Sequence, residues 1–270
     1  LSVSQTTFNC SDLGANTVTL FVIDSAGNTS TCTTTVTVLD TLAPVMVCQS
    51  VTVNLDALGN AMISASDLDN GSSDNCSGVT LSLSQTTFSC TDLGANMVTL
   101  TGTDASGNTS TCMATVTVVD GINPIALCKP ATIYLDSNGD ARLVASDIDN
   151  GSSDNCSVTV TITDSLFTCS DAGANNVTLT ATDGDGNTST CVAVVTVLDT
   201  ISPIANCKAD TLYLNASGTA SLTASMINDG SSDNCTFTMS VSQSTFTCSD
   251  MGVGSATLTV TDASGNTSTC

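Results

Sequence analysis

The chain has 270 residues, 25 acidic side chains against 3 basic ones, and a formal charge of −22 at pH 7. Such a surface repels phosphate, which excludes nucleic acid and anionic lipid as partners and favours bound cations. Only 10% of residues are charged while 41% are apolar, so disorder is excluded and a folded core is expected.

Every acid is Asp, and the chain has no Glu and no His. Asp beside Gly, Asn, Ser and Thr builds turns, whereas Glu favours helix, so helix is nearly excluded. The fourteen cysteines include no C-x-x-C knuckle, which leaves disulfides rather than zinc thiolates and places the chain in an oxidising compartment. No run of 18 apolar residues and no signal-peptide pattern occurs, so any export signal or anchor is expected outside this segment.

From the N-terminus, the first predicted unit covers residues 1–39 and reads as the back part of a repeat. It holds Cys10 and Cys32 and ends in the phrase V-T-V-x-D. Adding 79 or 80 to a cysteine position lands on its counterpart, which sets a repeat of about 80 residues. G-S-S-D-N-C recurs at 71–76, 151–156 and 230–235, and G-N-T-S-T-C ends at Cys32, Cys112, Cys191 and Cys270. Boundaries near Asp40, Asp120 and Asp199 then give complete copies at 40–119 and 120–198, and a copy at 199–270 that lacks its last strand.

Within 40–119 the alternation of Val and Thr has period two. Strands are predicted at 45–47, 51–55, 61–66, 79–84, 87–90, 97–103 and 111–119, with Gly turns between them. About seven short strands in 80 residues point to a two-sheet sandwich. The fold class is therefore all-β: tandem immunoglobulin-like sandwiches, stapled by disulfides and joined with little linker into an elongated rod.

The phrases D-x-x-x-P-x-x-x-C (40–48), S-D-N-C (73–76) and T-D-A-S-G-N-T-S-T-C (103–112, followed by V-T-V) resemble the hyalin repeat family and the related repeats of giant surface adhesins in Bacteroidota. The resemblance covers every copy and implies an immunoglobulin-like fold, a cell-surface location and adhesive or structural use. The additional F-x-C at 88–90 departs from the commoner family pattern, so the family does not settle the sulfur pairing.

In such a sandwich the first and last strands run parallel, which brings Cys48 within reach of Cys112 and leaves Cys76 for Cys90. The same pairing gives Cys128 to Cys191, Cys156 to Cys169, Cys207 to Cys270 and Cys235 to Cys248, with Cys10 and Cys32 needing partners upstream. The rival arrangement, Cys48 to Cys76 with Cys90 to Cys112, remains open.

The recurrent acids converge on one pole of each copy: the boundary Asp, the S-D-N-C loop and the G-N-T-S hairpin. Hard oxygen ligands around a Gly turn are what Ca²⁺ takes. The candidate ligands are Asp24, Asp40, Asp69, Asp74, Asp104, Asp120, Asp149, Asp154, Asp183, Asp199, Asp229, Asp233 and Asp262, placed at junctions between copies. Asp67 ranks lower because Met226 replaces it in the last copy, and Asp12, Asp92, Asp171 and Asp250 are assigned to turn structure. Candidate glycosylation positions are the hairpin residues Asn28, Asn108, Asn187 and Asn266, with Thr41 and Thr200 for bacterial O-linked sugar.

Without His or Glu no Ser-His-Asp triad can be assembled, and acids that repeat with the module do not make a single catalytic pocket. Lys129 and Lys208 are replaced by Gln49 in the second copy, against a shared isopeptide staple. The expected function is a structural spacer or fibre-forming region of an extracellular adhesin or surface filament. Its partners would be neighbouring modules, laterally associated chains, or a surface glycan or protein ligand. Modules that grip a glycan directly are the alternative reading, which requires an exposed aromatic platform.

Overall fold

The computed structural model describes residues 1–270. Contacts divide the chain into two compact units, Leu1–Ile122 and Asn123–Cys270.

In the first unit, the strands Ser2–Val3, Gly14–Ile23 and Thr29–Val38 form an antiparallel sheet. The following copy is a sandwich. One sheet has the order Val51–Asn54, Thr109–Val119, Gly94–Thr103, Thr80–Leu83, with the first pair parallel and the others antiparallel. The second sheet pairs Asn60–Met62 with Thr87–Ser89. Alternation decides which side chains enter the core: Val98, Leu100, Ala114, Val116 and Val118 are buried, while the Thr residues between them face outward. Ala61, Ile63, Leu68 and Phe88 are also buried.

The second unit repeats this plan. Ala131–Tyr134 runs parallel to Thr188–Leu198, which pairs with Gly173–Asp183 and through it with Val158–Ile162. Its core gathers Leu143, Ile148, Phe167, Val177, Leu179, Val195 and Val197. Beyond it, Phe237–Val241, Leu258–Asp262 and Thr267–Thr269 make a three-stranded sheet around Leu222, Ile227, Leu258 and Val260. The connectivity, with parallel outer strands and Greek-key crossing, is that of tandem immunoglobulin-like sandwiches.

The segment predicted as a strand over 61–66 is divided. The strand stops at Met62, and a one-turn helix occupies Ala65–Leu68, as at Ala145–Ile148 and Ala224–Ile227. In the second copy a capping interaction reinforces it, the Ser64 backbone N–H and hydroxyl both donating to Asp67 Oδ2 at 2.7 Å, while Ala224–Ile227 forms the same turn with Met226 in that position and no such bond. Asp, the only acid available, does here what Glu usually does. The 3₁₀ turns at 10–12, 90–92, 169–171 and 248–250 are held in the same way, as when the Ser89 N–H donates to Asp92 Oδ2 at 2.8 Å.

These bonds hold the Asp67, Asp92 and Asp250 carboxyls below the ordinary carboxylate range, the backbone N–H of the capping residue being the main cause in each. A depressed pKa contributes stability above the unfolded value of about 4 and loses it as pH falls through the native value. The melting temperature of Asp92→Ala should therefore lie below that of the parent at pH 6. The gap should narrow as both are titrated below about pH 4. A gap independent of pH would show that the carboxylate is not its source.

Candidate metal centre

Three segments carry the acids to one pole of each copy. In the second unit these are the end of Thr188–Leu198, the S-D-N-C loop and the hairpin after Leu258–Asp262. One oxygen from each of Asp199, Asp233 and Asp262 lies within 4.8 Å of the others, and so do oxygens of Asp40, Asp74 and Asp104 in the first unit.

Their hydrogen bonds are unequal. Asp262 is fully used: Asn266 donates its backbone N–H to Oδ1 and its side-chain amide to Oδ2, both at 2.7 Å. Asp199 accepts from the Ile201 N–H at 3.1 Å and from Asn234 Nδ2 at 3.2 Å on Oδ1, and its buried Oδ2 has no partner. Asp233 accepts the Cys235 N–H on Oδ2 at 3.0 Å, and its Oδ1 is likewise buried and without a donor. Asn234 Oδ1 is a third such oxygen. The first unit shows the same division, with orphaned Asp40 Oδ2 and Asp74 Oδ1 beside an Asp104 bonded by Ser106 and Asn108.

Asp199 and Asp262 are each only 6% exposed. Burial pushes the Asp104 and Asp183 carboxyls up, but donors from Asn108 and Asn187 and from neighbouring N–H groups outweigh it and hold both below the ordinary range. The acids of each group are packed together without a Lys or Arg among them. Buried oxygens lacking donors are costly unless something positive is coordinated. Two oxygens on a common Ca²⁺ at 2.3–2.6 Å can stand at most roughly 5 Å apart, and the three oxygens of each group lie inside that limit.

In the remaining copy, Asp154 Oδ2 accepts the Cys156 N–H at 3.0 Å, and Asp183 accepts from Asp185, Gly186 and Asn187. Asp120 Oδ1 accepts the Ile122 N–H at 3.0 Å.

Four predicted ligands lie outside these groups. Asp69 and Asp149 each give Oδ1 to the N–H of Ser72 or Ser152 at 2.9 Å, closing an Asx turn away from the pole. Asp229 is exposed, and Asn228 takes the turn position instead by accepting from the Ser231 N–H. Asp24 is an exposed hairpin acid bonded to Ala26 and Asn28. Asn234 was not singled out in the sequence, and Asn266 was read there as a glycosylation position and not as a partner of the acids; their recurrence in S-D-N-C and G-N-T-S was the available signal. Asn108, Asn187 and Asn266 spend their side-chain nitrogens on Asp carboxylates, and Asn28 does so on Asp24, so the nitrogen that a glycan would take is engaged. Thr41 and Thr200 are exposed.

The sulfur pairing is partly different from the sequence reading. Cys48 bonds Cys112, Cys128 bonds Cys191 and Cys207 bonds Cys270. Cys76 does not bond Cys90, and Cys235 does not bond Cys248: Cys76 bonds Cys10, and Cys235 bonds Cys169, each from the preceding copy. Cys156 is not paired with Cys169 either, and both Cys90 and Cys156 are in disulfides. Cys90 lies where the ten-residue strand Gly94–Thr103 begins, and Cys76 lies near its end, where Thr80 pairs with Thr103. Ten residues span roughly 30 Å, against a disulfide Cα separation of at most about 7 Å. Cys10 therefore finds its partner downstream, while Cys32 and Cys248 are free and exposed.

A groove of about 610 Å³ in the last copy is lined by Leu212, Leu222, Ile227 and Phe246. In the copy before it, Ala193, Val195 and Val197 fill the corresponding space as core, so the groove is core volume. No helix is long and apolar enough to cross a membrane.

No family model and no curated protein matches the chain. Among solved structures, it is similar to protocadherin gamma B7 extracellular cadherin domains 1–4, at 13% identity over 97% of this chain and 83% of that one, with a TM-score of 0.31. Protocadherin gamma B2 extracellular cadherin domains 1–5 match at 10% identity over 96% and 64%, TM-score 0.35. Human mucin-like protocadherin EC1-2 matches at 10% identity over 58% and 98%, TM-score 0.33. These are loose superpositions, and the fold assignment rests on the strand topology described above.

Proposed function

We propose that this chain is a structural spacer or fibre-forming region of an extracellular adhesin or surface filament, built from hyalin-type repeats with boundaries near Asp40, Asp120 and Asp199 and stiffened by Ca²⁺ between them. The observation that carries the reading is the pair of buried, donorless carboxylate oxygens, Asp199 Oδ2 and Asp233 Oδ1, beside Asp262. Asp199 sits at the boundary of two copies, so an ion held there ties the end of one sandwich to the loops of the next. The ion supplies charge neutralisation and coordination, and the protein supplies oxygens fixed by Asx turns. Disulfides within and between copies support an oxidising, extracellular setting.

Repetition favours many equal joints over one catalytic centre. The glycan-binding alternative needs an aromatic platform, and the two Tyr residues, Tyr134 and Tyr213, are exposed as single rings on separate copies. Isothermal titration of Ca²⁺ into the EDTA-stripped chain tests the metal reading, and saturable heat whose stoichiometry Asp199→Asn lowers by one site is the supporting result. X-ray scattering in the same two conditions tests the mechanical role: Ca²⁺ should narrow the distribution of chain dimensions, and superimposable curves would sink it.

A further inference from the structure

The junction disulfides have a recurring receptor. Cys169 follows the strand Leu166–Thr168, and its Sγ lies 3.5 Å from the Asn234 carbonyl of the copy whose Cys235 it bonds. Two further groups receive that loop. The Asp136 carbonyl accepts Asn234 Nδ2 at 3.2 Å, and Gly139 lets the backbone approach: a β-carbon there would fall 2.8 Å from the Asn234 oxygen. In the first unit Cys10 makes the same bond to Cys76, with its Sγ 3.4 Å from the Asn75 carbonyl.

The last copy carries the same receptor around Cys248. Cys248 follows Thr245–Thr247 as Cys169 follows its strand, and its thiol is free and exposed. Gly218 stands where Gly139 does, with φ +71° against +81°, and a β-carbon there would meet only Cys248 Sγ. Asn215 replaces Asp136 in the same turn: Gly218 N–H donates to its carbonyl at 2.9 Å, as Gly139 N–H donates to Asp136 at 3.0 Å. The S-D-N-C cysteines of this chain, Cys76, Cys156 and Cys235, are all in disulfides already.

We propose that Cys248, Gly218 and the Asn215 carbonyl form a docking site for the S-D-N-C loop of a further repeat, closed by a disulfide. The Cys248 thiolate attacks the sulfur of an incoming cysteine that arrives as a mixed disulfide. The new bond is Cys248 Sγ to that sulfur, and the old S–S bond breaks with departure of the leaving thiolate, so the incoming disulfide is itself the oxidant. None of the three receptor residues belongs to the acid clusters of the candidate metal centre.

The probe is the peptide Gly-Ser-Ser-Asp-Asn-Cys-Thr-Phe, the sequence of 230–237, with its cysteine activated as a thionitrobenzoate mixed disulfide and mixed with the native chain in EDTA. Dye release gives the rate and peptide mapping gives the residue. Cys248 should capture this peptide about tenfold faster than a scrambled peptide of the same composition. Cys32, exposed but not set in this receptor, should not discriminate between the two. Replacing Asn by Ala in the peptide should remove most of the preference, and Cys248→Ser should leave only the indiscriminate reaction at Cys32. Equal capture of native and scrambled peptides at Cys248, or the same preference at Cys32, would overturn the proposal.

Discussion

Millimolar Ca²⁺ should raise the melting temperature of the EDTA-stripped chain, and Asp199→Asn with Asp233→Asn should remove the share of the rise that their own site contributes. At a free concentration one hundred times the dissociation constant, one site binding only the folded state contributes about 2.7 kcal/mol. For a chain of this size that is a shift of roughly 5–10 °C. The double variant separates a metal centre from solvated turn acids by sign. In EDTA, removing two of the three crowded charges relieves repulsion, so the variant should melt at or above the parent temperature. In Ca²⁺ the order should reverse, because Asn keeps the Asx-turn acceptor but not the charge. Two chains that keep one order in both conditions would show that the cluster binds no cation. Asp69→Asn, at an acid committed to Ser72, should leave the Ca²⁺ response unchanged.

Removing Cys128–Cys191 by paired Ser substitution should leave the sandwich at 120–198 close to its folding limit. The bond joins residues 63 apart in sequence, and chain-entropy reasoning assigns such a loop about 4 kcal/mol. A module of about 80 residues has roughly 4–12 kcal/mol in all. This one has a core with a single Phe, built otherwise on Val, Leu, Ile and Ala. Urea denaturation followed by circular dichroism should show the midpoint of one transition falling sharply. The Cys169–Cys235 bond closes a loop of similar length, its cysteines 66 apart in sequence, but it spans two copies. Its loss should uncouple their transitions while leaving each core folded. An unchanged midpoint in the first variant would mean that the sandwich holds without its staple.

Much of this was legible in the chain. Val and Thr alternation placed the strands, and Gly turns bounded them. The one-turn helix at Ala65–Leu68 was missed because an apolar alternation continues through it, and because Asp67 was not read as the distal half of a capping box. Of the recurrent acids, those of the boundary, the S-D-N-C loop and the G-N-T-S hairpin come together at Asp40, Asp74 and Asp104 and at Asp199, Asp233 and Asp262, while the equally recurrent Asp12, Asp92, Asp171 and Asp250 hold 3₁₀ turns. Asp69 and Asp149 close turns on the N–H of Ser72 and Ser152, and in the last copy, where Asp69-Asn70 becomes Asn228-Asp229, Asn228 closes the turn and Asp229 is left exposed.

The sequence by itself determined the repeat, the period-two pattern of the sheets and the residues available to each junction, because these are local and recur within the chain. Only the tertiary structure decided which sulfurs meet and which oxygens are orphaned. A strand of ten residues sets Cys76 and Cys90 at opposite poles, beyond the reach of any disulfide, and that separation, invisible in a spacing of fourteen residues, turns an expected internal staple into a bond between copies.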